Sequence, residues 1–382
     1  MKINIFGSTG IIGTKTLDII KKNFPKIKVN LLCANNNVSK LIKQSNFYKP
    51  KYLYLNNIKK ISYLKKNISP KIKILSFNEL KSYLTESKNY YSLLAISGYK
   101  SLIYFDLIIK NSFSIGLVSK ETVVSAGHLF KNLSNNIRDK LYPLDSEHFS
   151  IYKFINNNKN LVLNNLTLTA SGGPFLGKKY SSLKNVSFKE ASTHPKWNMG
   201  YKNSIDSATL SNKCLELIEA HYLFDLPFDN LDIIIHPESK IHSIFEYKNY
   251  IYNMVAFHND MSIPIYHFLN QKFNFNFLHN KFAIKKNNQF NFMDVKNSEF
   301  PIYNFFKKID KTNPSNFIKF NVANEYAVNL FKRNLIKYTD IYNIVAKISS
   351  LNLNYKLNNI KDVIKYHETL ESKIYEKFNY EI

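Results

Sequence analysis

Arginine is almost absent from this 382-residue chain: Arg138 and Arg333 stand alone among 53 basic residues. Sequence readers of duplex DNA rely on the guanidinium fork, so the formal charge of +25 does not make this a dedicated nucleic-acid-binding protein. The lysines are scattered among Asn, Ile, Tyr and Phe like a compositional drift of the whole chain, which leaves only weak adhesion to polyanions. Cysteine is nearly missing too. Cys33 and Cys214, 181 positions apart, exclude a disulfide framework and point to a reducing, cytoplasmic setting. No apolar run reaches the length of a membrane span, and Ile3–Gly7 reads as a strand rather than part of a signal peptide. There is no internal repeat. What is present is ample for burial: 45% hydrophobic and 15% aromatic residues exclude global disorder, in a length that calls for two or three domains.

The pattern along the chain predicts an α/β protein in three parts. Residues 1–145 alternate short apolar runs (2–6, 28–33, 51–55, 73–75, 92–96 and 114–118) with helical stretches such as 14–23 and 39–44. That alternation predicts a Rossmann-like parallel sheet with crossover helices. Residues 146–285 are mixed, with strand-like runs at 165–170, 231–235 and 251–257 around a helix expected over 207–223. This middle part reads as an α+β catalytic domain. A polar stretch over 286–312 reads as a linker, and 313–382 as a C-terminal helical domain, including helical patterns at 321–334 and 338–349.

Gly7-Ser8-Thr9-Gly10-Ile11-Ile12-Gly13 follows the first strand and opens the first helix. The spacing is G-x-x-G-x-x-G rather than G-x-G-x-x-G, but the physics is similar: glycines let the backbone turn tightly and approach a pyrophosphate resting on a helix N-terminus. A glycine-rich turn without ligand is the bland alternative. At the end of the second strand, where an acid would accept the ribose hydroxyl of NAD, the chain reads Cys33-Ala34-Asn35-Asn36-Asn37, with Lys40 beyond. Absence of the acid favours a 2′-phosphate and hence NADPH, with Gly7, Thr9, Gly10, Ile11, Ile12, Asn36 and Asn37 as cofactor-binding candidates.

Two distant segments supply three carboxylates and a lysine. Asp145 and Glu147 sit two apart at the end of an apolar run, so an extended backbone would point both to one side; a solvated loop is the alternative. Asn212 and Glu216 sit four apart on a helical pattern and share a face, with Lys213 beside them. Ser171-Gly172-Gly173-Pro174-Phe175 is either an anion-binding nest or an ordinary turn. His194-Pro195-Lys196-Trp197-Asn198-Met199-Gly200 holds the single tryptophan, on a flap over substrate or as a plug between domains. Ser207 and Asn212 could donate to a phosphate at a helix N-terminus. Three carboxylates beside phosphate donors suit a hard divalent cation and a small phosphorylated molecule.

Gly7–Gly13, Ser119-Lys120-Glu121, Leu144-Asp145-Ser146-Glu147-His148, Ser171–Phe175, His194–Gly200, Asp206–Thr209, Asn212-Lys213 with Glu216, His236-Pro237 with Ser239, and Asn321–Glu325 occur in one order. Together they resemble the 1-deoxy-D-xylulose 5-phosphate reductoisomerase family over nearly the whole chain. The resemblance implies an NADPH-dependent enzyme of the methylerythritol phosphate route to isoprenoid precursors, acting as a homodimer. Asp145, Glu147 and Glu216 would then hold Mg²⁺ or Mn²⁺, with Co²⁺ a third candidate. Ser171, His194, Ser207, Asn212 and Lys213 would grip the substrate phosphate and its surroundings, and Lys120 and Ser146 would contact the substrate's oxygens. Trp197 and Met199 would belong to the flap, and Ser119, Glu121 and Gly200 would join the glycine loop in lining the cofactor. The chain departs from the family at Asn35, usually Gly, at Ile11, usually small, and at Ser119, usually Asn. It departs again at Ser262 and Ile263, where the family has Arg or Lys and Thr. These changes bear on cofactor affinity and rate and leave the carboxylates in place.

The implied reaction rearranges 1-deoxy-D-xylulose 5-phosphate by retro-aldol cleavage and re-aldolisation. Reduction of the resulting aldehyde then gives 2-C-methyl-D-erythritol 4-phosphate. The competing readings are another NADP-linked dehydrogenase sharing only the glycine loop, a basic nucleic-acid-binding protein, and a decayed copy kept for binding.

Overall fold

In the computed structural model, the described residues are 1–382 except 87–89, 131–132, 158–161, 198–199, 249, 274–288, 354 and 379–382, with the side chains of 156 and 157 also set aside. The strands are β1 (Lys2–Phe6), β2 (Lys28–Ala34), β3 (Tyr52–Leu55), β4 (Lys73–Ile74), β5 (Tyr90–Leu94), β6 (Ser112–Leu117), β7 (Leu141–Pro143), β8 (Leu163–Ala170), β9 (Leu231–Ile235), β10 (Ile241–Tyr247) and β11 (Tyr252–Ala256). The helices in the first half are α1 (Ile11–Asn23), α2 (Val38–Tyr48), α3 (Ile61–Lys66), α4 (Phe77–Glu86), α5 (Ser101–Ile108), α6 (Lys120–Phe130), α7 (Asn135–Arg138) and α8 (Ser146–Asn157). Those in the second half are α9 (Phe188–Ala191), α10 (Tyr201–Ala208), α11 (Ser211–Phe224), α12 (Ser262–Leu269), α13 (Pro301–Lys308), α14 (Pro314–Lys332), α15 (Asp340–Ser349) and α16 (Ile360–Phe378).

The chain divides into two compact units, each drawn from separate stretches of the sequence. The first comprises Met1–Thr122, Asn132–Phe149 and Asp260–His279, and the second Val123–Lys131, Ser150–Asn259 and Asn280–Ile382. In the first unit seven strands form a parallel sheet of order β4-β3-β2-β1-β5-β6-β7. Consecutive residues of β1 and β2 are buried, which requires cover on both faces and explains why these strands read as continuous apolar runs rather than alternating ones. The order reverses between β1 and β5, so the loop after β1 opens at the switch point where such sheets bind ligands.

The second unit holds a sheet of order β11-β10-β8-β9, antiparallel except for the β8–β9 pair. Strand β10 was not among the sequence expectations. The helix expected over 207–223 is two helices, α10 and α11, separated by Leu210 in the left-handed region at φ 64°. Helix α11 packs on β8 and β9 and on α13 and α14, so it is buried almost all round. Helix α14 also packs on α10, α15 and α16, so the C-terminal helices share a core with the middle of the chain and not one of their own. The stretch 286–312 carries α13 in its described part, started by Pro301 in the first turn, where proline suits a helix.

Candidate active site

The glycine loop is built by close approach. Gly7 has φ +81°, and a Cβ there would lie 2.2 Å from the Ala95 carbonyl oxygen at the end of β5; a Cβ on Gly13 would lie 2.3 Å from the Gly7 oxygen. Both sites therefore exclude a side chain. The N–H groups of Gly7 and Ser8 donate to the Cys33 carbonyl at 3.0 and 2.9 Å, and Gln44 of α2 donates to the Ser8 carbonyl at 2.8 Å. These bonds tie the loop to β2. Gly10 precedes α1 in extended backbone, with no acid in the first turn and no side-chain cap, so no side chain of that turn offsets the positive end of the helix. Thr9 and Ile12 are half-buried and Gly10 and Ile11 exposed, Ile11 at 66%; all four are accessible. Asn35, Asn36 and Asn37 lie exposed at the end of β2. Ser119, by contrast, is turned into the protein: its hydroxyl donates to Glu121 at 2.9 Å and meets Ser101 Oγ at 3.3 Å.

Behind α1, Lys15 pairs with Asp260 at 2.5 Å. Burial pushes the Asp260 carboxyl up, but the hydrogen bonds from Lys15 and Ser262 outweigh it and bring it down to about 2. Ser262, one of the departures from the family pattern and the first residue of α12, donates to Asp260 from its N–H at 2.9 Å and from its hydroxyl at 2.6 Å.

The acidic segment is not extended. Helix α8 begins at Ser146, and the Glu147 N–H donates to Asp145 Oδ1 at 3.2 Å, so Asp145 caps the helix in the manner of an Asx turn. Lys120 Nζ stands 2.5 Å from Asp145 Oδ2, and His148 Nδ1 3.1 Å from Oδ1. The Ser146 hydroxyl donates to Glu147. The first unit therefore brings Lys120, Asp145, Ser146 and Glu147 together. The agent is a helix start rather than strand alternation.

In the second unit the Ser171 hydroxyl lies 2.9 Å from His194 Nε2 and 3.4 Å from the Ser207 hydroxyl, and accepts from the Gly173 N–H at 3.2 Å. His194 Nδ1 accepts from the N–H groups of Lys196 and Trp197 at 3.1 and 2.9 Å. The network therefore assigns the proton to Nε2, which donates to Ser171. Gly172 and Gly173 have φ +80° and +68°, and a Cβ on Gly173 would lie 2.7 Å from Ala208 Cα. The nest's second glycine is thus required by the approach of α10, which ends at Ala208 and carries Ser207 in its last turn. Ser207 reaches this cluster from a C-terminal turn, not from the start of the helix that carries Asn212. Gly200 is the N-cap residue of α10. Trp197 meets the His242 ring edge-on at 6.3 Å, and His242 stacks on Phe257 at 3.8 Å. Met199 lies outside the described residues.

On α11, Lys213 and Glu216 are buried. Charges on a fully packed helix are costly unless compensated. Here Lys213 Nζ lies 2.7 Å from Glu216 Oε2, and the Asn212 amide donates to Oε1. The charge of Glu216 is thus compensated inside the protein by an ammonium and an amide on its own helix.

Sequence reasoning missed the scaffold beneath these groups. Asp206, 1% exposed, accepts from Lys202 at 2.7 Å and from Asn324 of α14 at 2.8 Å, which holds the helix that presents Ser207. The signal was present in the motifs Asp206–Thr209 and Asn321–Glu325, without any hint that they meet. The role of Gln44 under the loop had no signal at all.

Three family models match the chain: 1-deoxy-D-xylulose 5-phosphate reductoisomerase over residues 3–127, its C-terminal domain over 141–224, and the DXP reductoisomerase C-terminal domain over 258–372. The chain is similar to the 1-deoxy-D-xylulose 5-phosphate reductoisomerase of Pelagibacter ubique, at 35% identity over 91% of this chain and 90% of that one. It is also similar to that of Clostridium botulinum (strain Eklund 17B), at 36% identity over 98% and 96%. Among solved structures it resembles the enzyme from Zymomonas mobilis in complex with NADPH, at 29% identity with a TM-score of 0.85 over 97% and 96% of the two chains. It also resembles a DOX-P reductoisomerase in complex with NADPH, fosmidomycin and magnesium, at 27% identity with a TM-score of 0.86 over 99% and 98%. By motif order, fold and relatives alike, the chain belongs to the 1-deoxy-D-xylulose 5-phosphate reductoisomerase family.

Proposed function

We propose that Asp145, Glu147 and Glu216 hold one divalent cation for the reaction that this chain, as a family member, catalyses. That reaction is the NADPH-dependent rearrangement and reduction of 1-deoxy-D-xylulose 5-phosphate to 2-C-methyl-D-erythritol 4-phosphate, in non-mevalonate isoprenoid precursor biosynthesis. Among the described residues these carboxylates are a set able to hold a metal ion. An all-oxygen, anionic donor set fits Mg²⁺ or Mn²⁺, with Co²⁺ a further occupant. The observation that carries the reading is the buried Lys213–Glu216 pair: a carboxylate held at that cost in a packed helix is suited to a cation. When bound, the metal supplies Lewis-acid polarisation of the substrate's carbonyl and hydroxyl oxygens, and NADPH supplies hydride.

The chain's own residues do the positioning. Lys120, held by Asp145, and Ser146, held by Glu147, would face the substrate's oxygens. His194 Nε2, Ser171, Ser207, Asn212 and Lys213 would take the phosphate, whose binding energy, remote from the reacting carbons, is available to close the site and exclude water. Trp197, on its loop against His242, would cover the substrate. Residues 1–145 would bind NADPH through Gly7, Thr9, Gly10, Ile11, Ile12, Asn36 and Asn37, with Glu121, Ser119 and Gly200 at its edge; 146–285 would carry the catalytic groups and 313–382 support them. A homodimer is supported by an uncovered apolar strip, Tyr250 to Tyr252 with Met254, each more than half exposed. Two free, buried cysteines support a reducing cytoplasmic setting.

The deciding assay follows NADPH absorbance on addition of substrate, with Mg²⁺ and then with EDTA. Metal-dependent oxidation is the expected result. Metal-independent oxidation, or none, would overturn the reading.

A further inference from the structure

The rim at the end of β2 is short of acceptors. Asn35 Oδ1 accepts from the Asn56 amide at 2.9 Å, Asn36 Oδ1 from the Asn57 amide at 2.8 Å, and Asn37 Oδ1 from the Lys40 N–H at 3.1 Å. The main chain is engaged in the same way: the Asn35 carbonyl takes the Asn57 N–H, and the Asn36 carbonyl the Val38 N–H, both at 2.9 Å. Each side-chain oxygen of the asparagine run already accepts one hydrogen bond inside the protein, whereas among the described residues none of the three amide N–H₂ groups donates one. A ribose 2′-hydroxyl needs an acceptor such as a carboxylate at this place, and none stands in the Asn35–Asn37 run. A 2′-phosphate needs donors and positive charge.

The charge comes from a neighbouring element. After β3 the chain turns through a short 3₁₀ segment, Ile58–Lys60, capped by Asn57. There Lys60 Nζ donates to the Asn36 carbonyl at 3.1 Å. An ammonium has three donors, and this bond uses one while anchoring the group at the asparagine run. Among the described residues no acidic side chain is bonded to this cluster, and the bond from Lys60 to Asn36 is to a neutral carbonyl.

We infer that Lys60 selects NADPH over NADH by binding the adenosine 2′-phosphate, with the Asn35 and Asn36 amides as its co-donors. The inference rests on the NADPH-dependent reading above and adds a residue from outside the glycine loop and outside the asparagine run. It also gives a place in the rim to Asn35, where the family resemblance implies a glycine: its side-chain oxygen accepts from Asn56.

The test is calorimetric titration of the full chain with 2′,5′-ADP and with 5′-ADP, which differ by the phosphate alone. The wild type is expected to prefer 2′,5′-ADP by at least about tenfold, the scale of one charge-assisted hydrogen bond. Lys60→Ala should cut that preference about tenfold, Lys60→Glu should abolish it, and Lys60→Arg should keep it, with 5′-ADP affinity changed less than twofold throughout. The preference should also shrink as salt rises. Lys60 is solvent-accessible, so its variants should melt with the wild type. A wild-type ratio retained in Lys60→Ala, or lost only in Lys40→Ala, would overturn the assignment while leaving the NADPH reading intact. No preference in the wild type would overturn both, and NADPH oxidation with substrate then tells whether the enzyme reading survives.

Discussion

Replacing Glu216 by glutamine removes one negative charge and almost nothing else. The side chain is fully buried, so volume is kept and no cavity opens. Its amide oxygen can still accept from Lys213, which lies 2.7 Å away, or from Asn212. Lys213, itself 6% exposed, loses its counter-charge. Breaking one side of a buried pair costs about 3–5 kcal/mol, of which the remaining neutral hydrogen bond returns about 1. A net loss of about 3 kcal/mol corresponds to about 6–12 °C in Tm for a domain of roughly this size, well short of unfolding. The effect on the metal should be larger. Changing a residue that only supports a ligand weakens a metal by about ten- to a hundredfold, so changing a ligand should exceed a hundredfold. Turnover should fall below about a hundredth, equivalent to about 2.7 kcal/mol of lost transition-state stabilisation. Mn²⁺ titration, circular dichroism and NADPH oxidation at saturating Mg²⁺ read the three quantities separately. Undiminished turnover at saturating Mg²⁺, or unchanged Mn²⁺ affinity, would refute the assignment of Glu216 as a metal ligand.

Gly7→Ala places a Cβ 2.2 Å from the Ala95 oxygen at φ +81°, so the loop must shift; NADPH affinity should drop at least about tenfold, given about 1–2 kcal/mol for the left-handed backbone alone, and an unchanged Kd by fluorescence titration would falsify the loop's role. Ser171→Ala removes the hydroxyl that joins His194 to Ser207 and should raise KM for the phosphorylated substrate about tenfold with a smaller change in kcat; equal KM values would remove Ser171 from the phosphate site. His367 is buried against Ser125, and burial pushes its imidazole down to about 3. Because the folded state holds fewer protons than the unfolded chain, whose histidine titrates near about 6.5, its contribution is complete above that pH and is lost as pH falls through the window down to about 3. Thermal melts of wild type and His367→Asn should therefore converge as pH drops from 7 towards 4; parallel curves would contradict the shift.

Some of the architecture was legible because it depends on local order. The glycine loop after β1, the apolar parallel strands and the helical tail follow from spacing and from the need to cover strands on both faces. The break at Leu210 was hidden, since a left-handed residue in a run of good helix formers leaves no mark in the pattern. It matters for function, because it puts Ser207 at the end of one helix and Asn212 at the start of the next. The two-residue spacing of Asp145 and Glu147 suggested a strand, but an aspartate followed by Ser-Glu is also a helix start. Helix capping decided the geometry.

From sequence alone came the chemical inventory: which carboxylates, which hydroxyls, which glycines, and the absence of an acid after β2. Those are properties of residue type and order, which the chain carries without folding. Only the tertiary structure decided who meets whom. It set Lys120 against Asp145, Asn324 against Asp206, and Lys60 against Asn36, because hydrogen bonds and ion pairs act over a few ångströms between residues that lie 24 to 118 positions apart in the chain.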